Sequence, residues 1–382
     1  MKILVVTPTY AENPASGGVL VTHERIEQLK RVGDVTVLCI HVQGQPAAGV
    51  RLIQAGSLKP RTPRVLLGSY LHGQPLSVWR NNDPALMAAA DDLAEESWDL
   101  VYCDHWLVWP AASRVPAPRR VLHLHNAEHV LFSRAAEHLS GIAAALASIE
   151  AHRVRGYLKQ ICFEADEIHL LSEADERVLR RDEVIGLRDV RVFLPSAEKQ
   201  GEFQPAMPEN RQGALTIGSL SWEPTRLGMT WFMRQARPHM ANTPLTVIGK
   251  GASSSLELLL ANDPQATALG FVADLEPYYE NAKCFIAPLL DGSGIKIKIL
   301  NALARGVPVV TTSVGIEGFP KGFEGCVRVA DEPKAFAQHV QEVTALPPEN
   351  WHAISLACQQ YIKTYFAGSA WARWCNNLKR NE

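Results

Sequence analysis

The segment from Cys284 to Phe319 constrains the fold of this chain most. It reads as an apolar run, a Gly-Ser-Gly turn, a helical stretch, a glycine and a second β-branched run. Strand, glycine turn and helix in this order are typical of open α/β sheets, which bind ligands at the carboxyl ends of their strands. Glycines let a ligand approach the backbone closely, and a helix N-terminus attracts negative charge. The segment therefore predicts an anion site.

Two lysines, Lys296 and Lys298, lie at the start of the predicted helix. The alternation of isoleucine and lysine over 295–299 would also suit a strand. The apolar residues at 295, 299, 300 and 303 share one helical face, however, so we favour a helix over 295–305. On that helix Lys298 and Asn301 lie on the same face. Lys298 is therefore the stronger phosphate candidate, and the alternative for either lysine is an ordinary solvated charge.

Read from Gly292 to Val310, and again from Thr312 to Gly318, the chain follows a longer pattern. This pattern resembles the signature of the group 1 (family 4) glycosyltransferases, in a subset that reads Gly-Gly-Gly-Thr-Arg-x-Lys-x-Leu-Glu-Ala-x-Ala-x-Gly-x-Pro-Val-Val. The resemblance implies the GT-B fold, an α/β fold in which two Rossmann-like domains face a central cleft. It also implies a C-terminal helix that crosses back to the first domain.

The chain has 382 residues, enough for two domains of ordinary size. Apolar strands alternate with helices in the first half, and the alternation restarts after a polar, proline-containing stretch near 196–211 that reads as a linker. We therefore expect a Rossmann-like acceptor-side domain at 1–196 and a nucleotide-sugar-binding domain at 197–365. The helix at 366–382 should pack on the first domain.

Charge and composition limit the kinds of partner and the compartment that we expect for this protein. A net charge of −2 gives no reason to expect nucleic acid, and no apolar run is long enough to span a bilayer. The seven cysteines lack Cys-x-x-Cys spacing, which suits reduced core residues and a cytoplasmic protein. Basic clusters at 59–64 and 114–120 leave open a weak peripheral contact with anionic lipid on the inner membrane face.

Gly17 and Gly18 follow the first predicted strand and open a helix. They permit close backbone approach to a phosphate or a sugar, and an ordinary tight turn is the alternative. Members of the resembled family carry Gly-Gly here, followed by a histidine in the helix, which His23 matches. The resemblance thus makes all three residues candidates for substrate binding.

A second candidate group stands at the ends of two further strands. The histidines and glutamate over 123–129 suggest a metal at first sight, but zinc needs three or four convergent ligands, so we predict no metal. The resemblance instead places His125, followed by Asn126, toward the donor sugar. Asp104 and His105 should line the acceptor side, with a capped turn and a packed tryptophan as the alternative.

Gly218 and Lys250 follow the first two strands of the second domain. Lys250 is a candidate for nucleotide contact, with a solvated surface lysine as the alternative. The glycine spacing is not the dinucleotide fingerprint, so an NAD-dependent oxidoreductase is a weaker reading. We expect no cofactor.

The chain departs from the family at two positions. Many members hold two glutamates, the second of which binds the ribose of the nucleotide; here these positions carry Ser293 and Asn301. Asp291 lies two residues before the first of them. Asparagine still donates and accepts hydrogen bonds, but a charge-assisted contact is lost.

The resemblance implies a retaining, metal-independent transfer from a nucleotide-diphospho-sugar, with UDP or GDP as the expected nucleotide. The acceptor would be a hydroxyl group of a glycan, a lipid-linked or a small molecule. Gly294 and Ile295 amides with Lys298 and Lys296 would stabilise the leaving diphosphate, and His125 would face the sugar. Because both glutamates are replaced, a protein that binds a sugar nucleotide without transferring it is the alternative.

Overall fold

The computed structural model describes residues 1–12, 17–137, 139–197, 211–240, 242–292 and 294–380. The chain forms two compact units, one made of Met1–Leu194 with Gly368–Glu382 and the other of Pro195–Ala367. Most of the linker expected at 196–211 lies outside the described residues.

The first domain contains seven strands in one parallel sheet. They are β1 (Lys2–Ala11), β2 (Asp34–Gln43), β3 (Val50–Gln54), β4 (Leu100–Asp104), β5 (Arg120–Leu124), β6 (Glu167–Leu170) and β7 (Val190–Val192). Their order is β3-β2-β1-β4-β5-β6-β7, so the order reverses between β1 and β4. Every residue of β4 and β6 is buried, as expected for a sheet covered on both faces. Open α/β sheets bind ligands at such a reversal, beyond the carboxyl ends of the strands.

Among the residues described, eight α-helices accompany this sheet before the chain enters the second domain. They are α1 (Gly17–Leu29), α2 (Pro63–Leu71), α3 (Leu76–Asn81), α4 (Pro84–Ala94), α5 (Trp109–Ala112), α6 (Glu128–Glu137), α7 (Gly141–Glu164) and α8 (Glu173–Arg181). The sequence pattern predicts α1, α4, α7 and α8 but not β3, α2, α3 or α6. Helix α2 did carry a local signal, since Thr62 caps it and Pro63 opens it.

The second domain repeats the arrangement with six parallel strands. They are β8 (Ala214–Ile217), β9 (Leu245–Ile248), β10 (Ala266–Gly270), β11 (Cys284–Ala287), β12 (Val309–Thr311) and β13 (Val327–Val329). The order is β10-β9-β8-β11-β12-β13, with the reversal between β8 and β11. The fold class is therefore confirmed: the chain has two Rossmann-like domains with parallel sheets.

The helices of the second domain follow its strands in turn. They are α9 (Glu223–Trp231), α10 (Ser254–Ala261), α11 (Glu276–Asn281), α12 (Ile297–Ala304), α13 (Pro333–Thr344) and α14 (Pro348–Tyr365). Several boundaries differ from those that the sequence pattern predicts. The pattern predicts a helix over 231–240, whereas the structure begins this helical segment at Glu223. Helix α12 begins at Ile297 rather than Ile295, because Gly294 has a φ of +68° and Lys296 is extended.

The last helix, α15 (Ser369–Arg380), belongs to the core of the first domain. The Trp374 indole nitrogen donates a hydrogen bond to Glu167 Oε1 at 2.9 Å. The buried guanidinium of Arg25 lies 4.4 Å from the ring centroid of Trp371. The α15 tryptophans thus cover aromatic and charged groups of the sheet and of α1.

All seven cysteines fall in described parts of the chain, where each is buried and none forms a disulfide. Their burial raises the pKa of several of these thiols, Cys39 to about 12. They are inert core residues, as their sequence context indicates. Among the helices described, none is long and apolar enough to cross a membrane.

Candidate functional site

Asp104 ends β4 at the strand-order reversal of the first domain, and it is almost completely buried. Its Oδ1 accepts hydrogen bonds from His123 Nδ1 at 2.7 Å and from His125 Nε2 at 3.0 Å. Its Oδ2 accepts from the hydroxyl of Thr22 at 2.5 Å and from that of Thr7 at 3.3 Å. Asp104 and these four donors are called the Asp104 cluster below. It joins β1, α1, β4 and the end of β5.

The electrostatics of the cluster follow from its burial and its hydrogen bonds. Burial opposes ionisation of Asp104, but the charge of His125 and the hydrogen bonds from both histidines hold its pKa well below the ordinary value. Burial lowers the pKa of His123 to about 3, even though the hydrogen bond to Asp104 acts in the opposite direction. The cluster therefore holds an ionised carboxylate, which accepts a hydrogen bond from the Nδ1–H group of a neutral His123.

The hydrogen bond to Asp104 also orients the ring of His125. Because Nε2 binds Asp104, Nδ1 lies on the other side of the ring. A Cβ atom placed on Gly18 would lie 3.4 Å from that nitrogen, and Gly18 itself is exposed. Glycine at position 18 thus leaves space in front of His125, where a polar group of a ligand has room to form a hydrogen bond with Nδ1.

Other residues predicted in the first domain lie in structural contacts. His105 has a φ of +102° and caps a 3₁₀ turn by accepting from the Leu107 amide at 3.5 Å, while Trp106 is buried. His105 thus adopts the capped turn of the alternative interpretation. Nδ1 of His23 lies 3.2 Å from the carbonyl oxygen of Ala11. The side-chain amide of Asn126 donates a hydrogen bond to Glu128 Oε1 at 3.1 Å.

Asp104, His123 and His125 also have the composition of a metal site. Their potential ligand atoms all lie within 4.8 Å of one another. Nitrogen–oxygen distances of 2.7 and 3.0 Å are those of hydrogen bonds, and a cation would have to replace both shared protons. Two threonine hydroxyls occupy the other carboxylate oxygen. The arrangement fits a proton-linked cluster.

In the second domain, Lys298 stands at the equivalent reversal. Its Nζ lies 3.3 Å from the hydroxyl of Thr225, and 3.2 Å from where a Cβ atom on Gly218 would lie. The ammonium group is therefore beside the carboxyl end of β8. Burial, with a smaller contribution from the charge of Lys296, lowers the pKa of Lys298 to about 8. A cation in such a setting gains stability when an anion binds.

The turn before α12 is held by its own groups. The Asp291 carboxylate accepts a hydrogen bond from the Gly292 amide at 2.7 Å, and Lys296 Nζ donates to the Gly294 carbonyl at 2.7 Å. Gly292 and Gly294 have φ values of +126° and +68°, which other residues rarely adopt. Lys296 thus contacts the turn itself. Ser293, which is also predicted in this turn, lies outside the described residues.

Asn301 lies one turn beyond Lys298 on α12 and is 8% exposed. Its side-chain oxygen accepts no hydrogen bond from any described residue, which is costly for a buried amide. Ile295, in contrast, packs in the interior: a Cβ atom on Gly318 would lie 3.0 Å from its Cγ1. Asn301 is therefore the polar group of this segment that a ligand would satisfy.

Lys250 follows β9, and its ammonium lies 4.3 Å from the ring centroid of Phe271, which follows β10. Both side chains are exposed. Glycines permit tight packing nearby: a Cβ atom on Gly249 would lie 1.8 Å from the Gly218 carbonyl oxygen. A Cβ atom on Gly228, in α9, would lie 1.6 Å from the Pro288 carbonyl oxygen. Backbones approach closely around the strand ends where Lys298 stands.

The sequence patterns did not indicate three residues that shape these sites. Thr7 and Thr22 bind the Asp104 carboxylate, and Thr225 accepts from Lys298. A threonine in a strand or a helix carries no motif of its own. Whether it lies beside a buried charge depends on residues that are distant in sequence. Thr22 and Asp104, for example, are 82 positions apart.

Comparison with known proteins relates the second domain to a family and the whole chain to a fold. Residues 211–345 match the family described as Glycosyl transferases group 1, the same family that the sequence resembles. The two Rossmann-like domains give the chain the GT-B fold, which it shares with solved glycosyltransferase structures.

One relative is 21% identical over 265 residues, a Klebsiella pneumoniae protein described as an uncharacterized 44.6 kDa protein in the cps region. The match covers 64% of this chain and 65% of that protein.

Solved structures share the fold over nearly the whole chain. Sucrose-phosphate synthase from Thermosynechococcus elongatus is 16% identical with a TM-score of 0.71, covering 100% of this chain and 98% of its own. WaaG, a glycosyltransferase involved in lipopolysaccharide biosynthesis, is 15% identical with a TM-score of 0.66, covering 97% and 98%. HepE from Anabaena, in complex with UDP-glucose, is 13% identical with a TM-score of 0.66, covering 100% of both chains.

Proposed function

We propose that this protein transfers a sugar from a nucleotide-diphospho-sugar to a hydroxyl acceptor, with retention of anomeric configuration and without a metal ion. The observation that carries the proposal is the position of Lys298. Its ammonium, with a pKa of about 8, lies beside Gly218 and Thr225 at the strand-order reversal of the domain that matches the family. This is where an open α/β sheet binds a phosphorylated ligand.

The chemical requirement is to stabilise a diphosphate as it leaves the sugar. Lys298 supplies one positive charge, and the first amides of α12, at 297 and 298, point away from the helix without intrahelical acceptors. Lys296, which donates a hydrogen bond to the Gly294 carbonyl, adds a second positive charge that acts on Lys298. Charge stabilisation of this kind acts on the transition state and requires no nucleophilic side chain.

Asn301 is proposed to bind the ribose. Its buried amide can donate and accept, and ribose hydroxyls would satisfy the oxygen that has no partner among the described residues. The structure of HepE contains UDP-glucose, so UDP-sugars are the first donors to test, with GDP-sugars next. Lys250 and Phe271 are exposed beyond β9 and β10, and we assign them to the nucleotide end of the ligand.

In the first domain, we assign His125 to a sugar hydroxyl. Asp104 holds the ring through Nε2, so that Nδ1 faces the space kept open by Gly18 and can form a hydrogen bond with the sugar there. The carboxylate of the Asp104 cluster already accepts hydrogen bonds from two histidines and two threonines. We propose that the cluster holds no metal ion during the reaction. We propose a cytoplasmic enzyme with a weak peripheral contact to an anionic membrane through basic segments such as 59–64.

A second candidate function is binding of a sugar nucleotide without transfer. The observation that favours it is Asn301, where many members of the family carry a glutamate. Replacing a carboxylate with an amide removes a charge-assisted contact worth about 1.5–3 kcal/mol. Binding would survive such a loss more readily than catalysis.

The test is calorimetric titration with UDP, GDP, ADP and their glucose conjugates, followed by measurement of nucleotide released with and without candidate acceptors. Lys298→Met should lower affinity for the bound nucleotide at least tenfold. Lys334→Met, at an exposed lysine of α13, is the matched control and should bind normally. Binding of none of these nucleotides would contradict both functions, whereas binding without release of nucleotide in the presence of any acceptor would favour the second.

A further inference from the structure

One face of the first sheet carries a row of buried polar side chains. Asp104, His123 and His169 are direct partners in the register of β4, β5 and β6. Tyr102 lies two residues before Asp104 and therefore on the same face of β4. All four side chains are completely or almost completely buried. Because parallel sheets covered on both faces are ordinarily apolar, this row needs polar partners.

Five neighbouring side chains each keep one buried polar atom without a hydrogen-bond partner among the described residues. We call them the Tyr102 group, and the atoms are Arg25 Nε, Tyr102 Oη, His123 Nε2, His169 Nδ1 and Trp371 Nε1. The ring centroid of Tyr102 lies 5.7 Å from that of His123 and 5.6 Å from that of His169. It lies 5.7 Å from that of Trp371, which the guanidinium of Arg25 approaches to 4.4 Å. The five unpartnered atoms thus belong to one contiguous group.

So many unpartnered atoms in one place point to a bound molecule. Buried polar groups in folded proteins nearly always have a hydrogen-bond partner. Five buried groups without one would cost a free energy comparable with the whole stability of a domain. Since no side chain of the described residues satisfies these atoms, a small molecule bound among them is required to do so.

The two histidines present lone pairs to this molecule. His123 donates its Nδ1–H to Asp104, so its Nε2 is an acceptor. Nε2 of His169 lies 3.0 Å from Oε1 of Glu167, so Nδ1 of this ring is an acceptor as well. Burial keeps both rings neutral, since it lowers the pKa of His123 to about 3 and that of His169 to about 4.

The other members of the group present hydrogens. Trp371 Nε1 and Arg25 Nε are N–H donors, and the Tyr102 hydroxyl both donates and accepts. An anion would meet the two histidine lone pairs, and a metal cation would meet the charge of the Arg25 guanidinium. Water matches this set, because it donates two hydrogen bonds and accepts two.

The Tyr102 group lies between the Asp104 cluster and α15. The Asp104 oxygen that accepts from His123 also accepts from His125. At the opposite end, the Glu167 oxygen that binds His169 accepts from Trp374 Nε1, in α15, at 2.9 Å. Water between the two histidine rings would join both carboxylate–histidine pairs into one hydrogen-bonded chain that runs from α15 to His125.

We propose that the Tyr102 group binds internal water and that α15 positions His125 through this water. Tyr102, His169 and Trp374 are then positioning residues, which act on His125 through other groups. The proposal does not depend on sugar transfer, because it concerns the hydrogen bonds of the protein without ligand.

A crystal structure of the full-length protein tests the water site. At a resolution that shows ordered water, at least one water molecule should lie within about 3.2 Å of two atoms of the Tyr102 group. Direct hydrogen bonds between the five side chains with no water among them would overturn the proposal. A metal ion at this place, identified by its anomalous scattering, would overturn it as well.

Nitrogen-15 NMR of the histidine rings tests the water site in solution. Tyr102→Phe removes the hydroxyl and keeps the ring, so the ring nitrogen signals of His123 and His169 should shift. Tyr157→Phe is the matched control, because the Tyr157 hydroxyl is also buried and unpartnered among the described residues but its ring packs in the other core of the domain. Shifts in Tyr102→Phe no larger than those in the control would contradict the proposal.

The same spectra test the connection to α15. Trp374→Phe removes the N–H group that binds Glu167, and the ring nitrogen signals of His125 should shift. Trp98→Phe is the control, since it removes a buried indole hydrogen bond to a backbone carbonyl in the other core. Unchanged His125 signals in Trp374→Phe would refute the positioning role of α15. If Trp374→Phe does not fold, the His125 signals of Tyr102→Phe decide in the same way.

Discussion

Affinity for UDP should depend on pH through Lys298. The pKa of this side chain is about 8 in the folded protein without ligand, against 10.5 for an ordinary lysine, because burial and the charge of Lys296 disfavour the ammonium form. A diphosphate binds the ammonium form more tightly than the neutral amine. Affinity should therefore be highest below pH 8 and fall above it.

The size of the effect follows from the fraction of protonated lysine. If the diphosphate requires the ammonium form, one pH unit above a pKa of about 8 leaves about one molecule in ten competent, so affinity at pH 9 should be about tenfold lower than at pH 7. The stability of the protein without ligand should change in the opposite direction. The pKa of Lys298 is lower in the folded protein than in the unfolded chain, so the unfolded chain binds more protons between about pH 8 and 10.5. The free energy of unfolding therefore rises with pH over this range.

Titration calorimetry with UDP at intervals from pH 7 to pH 9 measures the first effect, since the terminal phosphate is already ionised above about pH 7. Lys298→Met should bind at least tenfold more weakly at pH 7 and show little pH dependence. Lys334→Met should follow the wild-type curve. A wild-type affinity that stays constant over this range, or an equal slope in Lys298→Met, would refute a role for the Lys298 ammonium.

Three further substitutions and one treatment test the remaining assignments. Asn301→Glu should preserve or strengthen UDP binding if this position faces ribose; a lower melting temperature that UDP does not restore would instead indicate a buried structural position. Asp104→Asn should lower the free energy of unfolding by about 2–4 kcal/mol in urea, because four buried donors lose a charged acceptor; an unchanged transition would contradict the cluster. Gly249→Ala should lower the melting temperature more than Gly270→Ala, because its added methyl would meet the Gly218 carbonyl oxygen whereas that of Gly270→Ala would meet nothing within 4 Å. Equal decreases in melting temperature would show that the Gly218 carbonyl moves to make room. EDTA should leave transfer unchanged, whereas recovery of lost activity on adding Mg²⁺ or Mn²⁺ would show that a metal takes part.

Local sequence determined much of the second domain. The run from β11 through the glycine turn into α12 could be read directly, since apolar strand residues, glycines and helix formers follow one another there. The shared face of Lys298 and Asn301 follows from helical spacing alone. The start of α12 could not be read in the same way. It depends on a positive φ at Gly294 and on the hydrogen bond of Lys296 to the turn.

Tertiary structure alone decided which residues meet. Asp104 could be placed at a strand end from sequence, and so could His125, but nothing local indicated that both histidines and two threonines converge on one carboxylate. The same holds for Trp371 of α15, which packs on Arg25 from the far end of the chain. Sequence patterns report neighbours within a few residues, whereas parallel strands bring together ends that lie tens of residues apart. Burial then fixes which of the polar groups gathered there are charged, and this physical constraint appears only once the chain has folded.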